Sequence, residues 1–298
     1  MKLLVTGREG QVARSLAERG AKYGAEVVLV GRPELDLVDP VSVQATVDRH
    51  APDIVVSAGA YTAVDKAESE PELARLVNAG GAGHLARAAA AAGIPIIHLS
   101  TDYVFDGSGE RPWRETDATA PLGVYGRTKL DGERQVADAT SFHVILRTAW
   151  VYSPFGNNFV KTMLRLAETR DEVSVVADQI GNPTSALDIA DAVLRVAANL
   201  QNDPSPARTG LFHMAGTGST SWAGFAEHVF ACQRELGRPA AKVRPIGTAD
   251  YPTPAMRPAN SRLDCTKLAE CHGITLPPWQ ASVREVVGRL AADCVATA

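Results

Sequence analysis

The chain has little that would tie it to a membrane, a metal or an oxidising compartment. No run approaches the ~20 apolar residues of a spanning helix. The opening Leu3-Leu4-Val5 gives only three consecutive apolar residues before Thr6-Gly7, too short for a signal-peptide core. Four cysteines, Cys232, Cys265, Cys271 and Cys294, are spread over the last quarter with no C-x-x-C. They predict reduced thiols packed as small buried side chains, not a disulfide framework. The seven histidines form no H-x-x-x-H and no Cys/His cluster, which argues against a catalytic transition metal. A net charge of −4 argues against nucleic acid or an anionic membrane as the main partner. Together these absences predict a cytoplasmic protein.

What is present is a globular chain of 298 residues, 45% apolar and 21% charged, long enough to bury a core without staples. Its first half alternates short apolar runs with helical segments. The pattern predicts strands over 3–6, 26–30, 53–57, 94–100 and 142–148. It predicts helices from about Gln11, over 41–50, across 66–92 with a break near Pro71, and over 125–137. Continuously apolar strands separated by helices imply a doubly wound α/β fold, a parallel sheet covered on both faces, with ligands beyond the carboxyl ends of the strands. After Val151 the rhythm loosens into turn-rich loops at 153–158, 181–184 and 251–254. Residues 1–150 are expected to bind a dinucleotide. Residues 151–298 should form a smaller mixed lobe, interleaved with the first and capping its ligand edge.

The turn Thr6-Gly7-Arg8-Glu9-Gly10-Gln11-Val12-Ala13 joins the first strand to the first helix with G-x-x-G-x-x-A spacing. Gly7 permits the tight turn, Gly10 lets backbone approach a pyrophosphate, and Ala13 keeps the helix close to the sheet. The helix N-terminus supplies free N–H donors and partial positive charge. The second strand ends Val30-Gly31-Arg32 with no carboxylate until Glu34. An NAD-type ribose contact needs an acidic residue there, whereas Arg32 and Arg8 suit a 2′-phosphate, so the cofactor expected is NADPH, with NADH the alternative. Asp36-Leu37 is placed to flank an adenine, and the small residues of Ala58-Gly59-Ala60-Tyr61 leave room beyond the third strand.

Tyr125 and Lys129 stand one turn apart on a helix face. A phenol near pKa 10 is a poor acid at neutral pH, and an adjacent ammonium lowers it. Ser100 and Thr101, at the end of the fourth strand, each offer the hydroxyl that would complete an acid–base set. Trp150 follows the fifth strand, where it is either core or a ring for stacking. Arg257 and Asn260 lie in a proline-rich loop suited to a diphosphate-bearing substrate, with Lys161 a second phosphate candidate. His98, inside an apolar strand, reads as a satisfied core histidine.

The order of glycine turn, strand-end hydroxyl and Y-x-x-x-K resembles the extended short-chain dehydrogenase/reductases, which have a Rossmann-type sheet. Finer motifs resemble the dTDP-4-dehydrorhamnose reductase branch. They are Ala60-Tyr61-Thr62-Ala63-Val64-Asp65, Ser100-Thr101-Asp102-Tyr103-Val104-Phe105, Asn158-Phe159-Val160-Lys161, Asp178-Gln179-Ile180-Gly181-Asn182-Pro183-Thr184 and Arg257-Pro258-Ala259-Asn260-Ser261. The resemblance implies NAD(P)H-dependent reduction of the C4 ketone of dTDP-4-dehydro-L-rhamnose. It makes Tyr125 the proton donor, Lys129 its pKa-lowering and ribose-holding partner, and Thr101 the tuning hydroxyl. It also implies sugar-nucleotide contacts at Asp102 and Trp150, and cofactor contacts at Gly10, Gln11, Val12, Asp36, Leu37, Ala60, Tyr61 and Thr62. A homodimer and an interfacial Mg2+ belong to the same resemblance, and no residues here are assigned to the ion. The alternatives are a related nucleotide 4-keto sugar, or a non-catalytic nucleotide-binding subunit of the same fold.

Overall fold

A computed structural model describes the backbone of residues 1–296 and the side chains of residues 1–292. The predicted apolar runs form β1 (Lys2–Thr6), β2 (Glu26–Val30), β3 (Ile54–Ser57), β4 (Ile96–Thr101) and β5 (His143–Thr148). A later strand, β6 (Gly210–His213), joins them. The sheet order is β6-β5-β4-β3-β1-β2, with every pair parallel. From β1 the chain winds to β2 on one side, then crosses to β3 on the other. Such a reversal opens a crevice at the carboxyl ends of β1 and β3.

Helices α1 (Gln11–Arg19), α2 (Pro40–His50), α3 (Gly81–Ala91) and α4 (Val124–Ala139) follow successive strands. The chain continues through α5 (Phe159–Ala167), α6 (Ala186–Asn202), α7 (Trp222–Glu235) and α8 (Trp279–Ala296). Alternation along the strands splits the core in two. Leu3, Val5, Val56 and Leu146 face α1 and α6, where Ala13, Leu16 and Val193 meet them. Leu4, Val55, Ile96 and Ile145 face the other layer, against Val43, Leu85 and Val136. A further core, built on Tyr152, Phe225, Phe230 and Trp279, lies among α5, α7, α8 and the parallel pair Glu172–Val176 and Lys242–Ile246.

Two details aim α4. Its N-cap, Gly123, has no side chain, so Glu68 supplies the cap by accepting the Val124 N–H at 2.7 Å. Gly126 packs so tightly that a Cβ there would stand 2.1 Å from the Tyr103 carbonyl oxygen. The helix end bearing Tyr125 is thereby pressed against the end of β4.

The thiols depart from expectation. Cys232 is buried, but Cys265 and Cys271 are only partly so, because the helix Thr266–His272 lies at the surface with one face outward. Cys294 lies outside the described side chains.

Candidate active site

At the β1–α1 turn Gly7 has φ +86°, and a Cβ on it would meet the Gly59 Cα at 2.9 Å. Only glycine fits both the backbone and the space. Thr6 Oγ1 accepts the N–H groups of Ala58 and Gly59 at 3.2 and 3.0 Å, tying the two glycine loops together. Helix α1 starts at Gly10 with no side-chain cap, so its first N–H groups face the crevice. A cleft of about 360 Å³ opens there, lined among others by Gly7, Arg32, Asp36, Leu37, Ala60 and Tyr61. These are residues that sequence alone brought forward for the cofactor. The tight glycine cradle and uncapped helix end fit a dinucleotide pyrophosphate.

Other expected cofactor residues have different duties. Gln11 spends its side-chain oxygen on Ser153 Oγ and Asn158 Nδ2, at 2.8 and 3.0 Å, so its amide N–H groups and its backbone remain for a ligand. Val12 packs against the first core. Thr62 is exposed and does not line the cleft. Arg8 is paired with Glu34 at 2.9 Å, which leaves Arg32 as the arginine on the cleft wall. Asn78, which sequence reasoning missed, accepts the Tyr61 N–H at 2.7 Å and donates to the Tyr61 carbonyl oxygen and to Thr128 Oγ1. It sits in a single π-helical stretch, Leu76–Gly80, of the kind often found at functional sites, and no local pattern announces it.

The carboxyl end of β4 brings the acid–base candidates together. Adjacent strand residues point to opposite faces, and the two hydroxyls separate accordingly. Ser100 pairs in register with Arg147 and donates to Glu133 at 2.5 Å, inside the sheet–α4 layer. Arg147 closes that buried network with two bonds to Glu133, at 2.8 and 2.6 Å. Thr101 faces the crevice, bonds Asp102 Oδ1 at 3.0 Å, and lies beside the Tyr125 phenol, whose ionised form it favours. Of the two open hydroxyls, Thr101 is the one at the site.

The expected lowering of the Tyr125 pKa by Lys129 is not what the geometry gives. Burial and the neighbouring Asp102 charge push the phenol up to about 12. Lys129 points instead into the sheet, donating to the Leu99 carbonyl oxygen at 2.6 Å with His98 Nε2 at 3.3 Å. Burial brings its ammonium down to about 8. Asp102 is 2% exposed, and burial raises its carboxyl to about 6. Thr101 and Ser261 oppose that rise, although Oδ2 has no partner in hydrogen-bond geometry. A protonated phenol, a hydroxyl and a buried acid around one point can hold a carbonyl oxygen and protonate it.

The outer wall holds four of the expected residues. Trp150, at φ +49°, stacks on Trp222 with ring centroids 3.6 Å apart, while Gly181 packs against its indole. It is therefore one member of an aromatic pile, and Trp222, which the sequence reading overlooked, lies between it and Phe159. Asn260 is 4% exposed and is committed to the Arg111 carbonyl oxygen and to Arg262, so it braces the 106–113 loop and does not reach a ligand. Arg257 bonds Asp65, and both charges act on Tyr103, whose ring packs edge-on against Tyr125. Lys161 lies at the start of α5 with its amine 3.4 Å from the Pro154 carbonyl oxygen. Among the described residues no three His, Cys, Asp or Glu side chains are grouped to hold a metal, so none is assigned to Mg2+. No described helix is long and apolar enough to cross a membrane.

Known proteins resemble this chain over nearly its whole length. The RmlD substrate binding domain family matches residues 1–292. The dTDP-4-dehydrorhamnose reductase of Sinorhizobium fredii (strain NBRC 101917 / NGR234) is 52% identical, over 97% of this chain and 98% of that protein. That of Escherichia coli (strain K12) is 45% identical, with 97% and 98% covered. The solved dTDP-4-dehydrorhamnose reductase of Clostridium acetobutylicum ATCC 824 superimposes with a TM-score of 0.90 at 38% identity, covering 98% of this chain and 100% of that one. The Bacillus anthracis str. Ames enzyme, solved in complex with NADP, gives 0.89 at 33% identity, with 96% and 98% covered. On these matches over nearly its whole length, the chain belongs to the dTDP-4-dehydrorhamnose reductase family.

Proposed function

We infer that this protein reduces the C4 ketone of dTDP-4-dehydro-L-rhamnose to the alcohol of dTDP-L-rhamnose, using NADPH. The observation that carries the reading is the convergence of Thr101, Asp102 and Tyr125 on one point beside the dinucleotide cleft. Gly7, Gly10, the backbone of Gln11, Asp36, Leu37, Ala60 and Tyr61 would hold the cofactor, and Arg32 would meet a 2′-phosphate. When bound, that cofactor supplies the hydride.

The protein's own side chains handle the oxygen. Tyr125 stays protonated at neutral pH, because burial and Asp102 both disfavour phenolate, and this suits a donor in the reducing direction. Its O–H moves to the carbonyl oxygen as negative charge develops there. Thr101, whose single hydroxyl proton can turn from Asp102 Oδ1, donates to the nascent phenolate. Lys129, fixed in the sheet one helical turn from Tyr125, would hold the cofactor's nicotinamide ribose. The aromatic pile of Trp150 and Trp222 offers a wall for the nucleotide sugar, and Arg257 a cation for its diphosphate. A homodimer is proposed on the resemblance, and sedimentation tests it.

The test is Tyr125→Phe, which keeps the ring and removes the donor. Turnover, followed by NADPH absorbance with the dTDP-4-keto sugar, should fall about 10²- to 10⁴-fold with little change in cofactor affinity. Near-normal turnover would take Tyr125 out of the mechanism. Product stereochemistry by NMR separates this sugar from its relatives.

A further inference from the structure

Lys129 is an unusual cation. It is 3% exposed, and the nearest acid on its own helix, Glu133, is already engaged by Arg147 and Ser100. A buried ammonium needs acceptors, and the described structure gives it two, the Leu99 carbonyl oxygen and His98 Nε2. His98 is 1% exposed, and its other nitrogen, Nδ1, lies 2.9 Å from Ser57 Oγ on β3. Burial and the neighbouring ammonium hold the imidazole well below its ordinary pKa, so it is neutral. Only one tautomer suits these contacts. Nε2 faces a cation and must be the acceptor, so Nδ1 carries the proton and donates to Ser57. The chain Ser57–His98–Lys129 thus runs across β3, β4 and α4, with every member buried.

We propose that His98 is a positioning residue that fixes the Lys129 ammonium at the end of β4, one helical turn from Tyr125, with Ser57 setting the tautomer that lets it accept. The inference rests on the role given to Lys129 above. Two of the three ammonium protons are spent inside the sheet, which leaves one for a ligand. Removing the His98 acceptor leaves the ammonium with one partner. It then loses its aim and becomes a weaker cation at working pH. The ionisable groups that face this chain are Glu133 from α4 and His143 from β5.

The experiment compares His98→Leu, His98→Gln, Ser57→Ala and Lys129→Met in the full-length protein. It follows kcat, KM for NADPH and the pH dependence of kcat/KM, with thermal melting as a check on folding. His98→Leu should lower kcat roughly 10- to 100-fold and draw the alkaline limb down by about one pH unit. His98→Gln, which restores an amide acceptor toward Lys129, should recover most of both. Ser57→Ala keeps the imidazole and should shift the limb in the same direction by less, so the idea stays testable if His98→Leu folds poorly. A full-rate Lys129→Met would overturn the underlying role of Lys129. An inactive Lys129→Met beside folded His98→Leu and Ser57→Ala with wild-type pH profiles would overturn this inference alone.

Discussion

Arg257 and Asp65 are joined by an ion pair. Arg257 Nη2 lies 2.7 Å from Asp65 Oδ2, and the other carboxylate oxygen accepts the Ala255 N–H at 3.2 Å. The two residues are 192 positions apart, so this contact moors the proline-rich loop to the segment that follows the Ala60-Tyr61 turn. The guanidinium is therefore held in a fixed place. Arg257→Ala should raise KM for the nucleotide sugar roughly 10- to 100-fold with little change in kcat, the signature of lost ground-state binding. Steady-state kinetics at saturating NADPH read this directly. An unchanged KM would leave Arg257 as a tether only.

The two hydroxyls at the end of β4 should behave oppositely. Thr101→Val deletes the donor beside Tyr125 and should cost on the order of 10²-fold in kcat. Ser100→Ala removes a partner of buried Glu133, which Arg147 still holds, and should cost about 1 kcal/mol of stability with kcat nearly intact. Denaturant melts and turnover together test both. A crippled Ser100→Ala with a silent Thr101→Val would mean that the strand presents its other face to the substrate.

Cofactor preference should follow Arg32. Its replacement by Ala should weaken NADPH binding by roughly 1.5–3 kcal/mol and NADH binding much less, because only the former carries a 2′-phosphate. Titration of both cofactors against the variant distinguishes a phosphate contact from an ordinary surface arginine. Equal losses would favour the second.

Asp102 ties activity to pH-dependent stability. Burial lifts its carboxyl from 3.8 to about 6, so the folded protein holds that proton more tightly than the unfolded chain. This stabilisation is full below pH 3.8 and is lost as pH rises through about 6. Asp102→Asn cannot ionise. Relative to it, the wild type should therefore lose up to about 3 kcal/mol between acid and mildly alkaline pH. Urea melts of both proteins at about pH 4 and pH 8 check the sign; a constant difference would show that the carboxyl is not perturbed. Asp188, also raised by burial to about 6, is present in both proteins and cancels.

What could be read from the chain alone was local. A strand–turn–helix needs only its own glycines, so Gly7 and Gly10 announced the cradle. Two residues four apart share a helix face whatever surrounds them, so Tyr125 and Lys129 announced a pair. Apolar runs between helices specified a parallel sheet, because only strands covered on both faces dispense with alternation. Where each side chain was spent depended on elements far apart in the sequence. Register against β5 turned Ser100 toward Glu133 and left Thr101 for the site. The fold of the 106–113 loop over Asn260 took that amide from the substrate, and Trp222 covered Trp150. The packing of β3 and β4 under α4 gave His98 a lysine to hold, and made that lysine point into the sheet instead of lowering its neighbour's pKa. Backbone conformation and periodicity are set by neighbours along the chain. Hydrogen-bond partners and desolvation are set by neighbours in space, and those exist only once the sheet has closed.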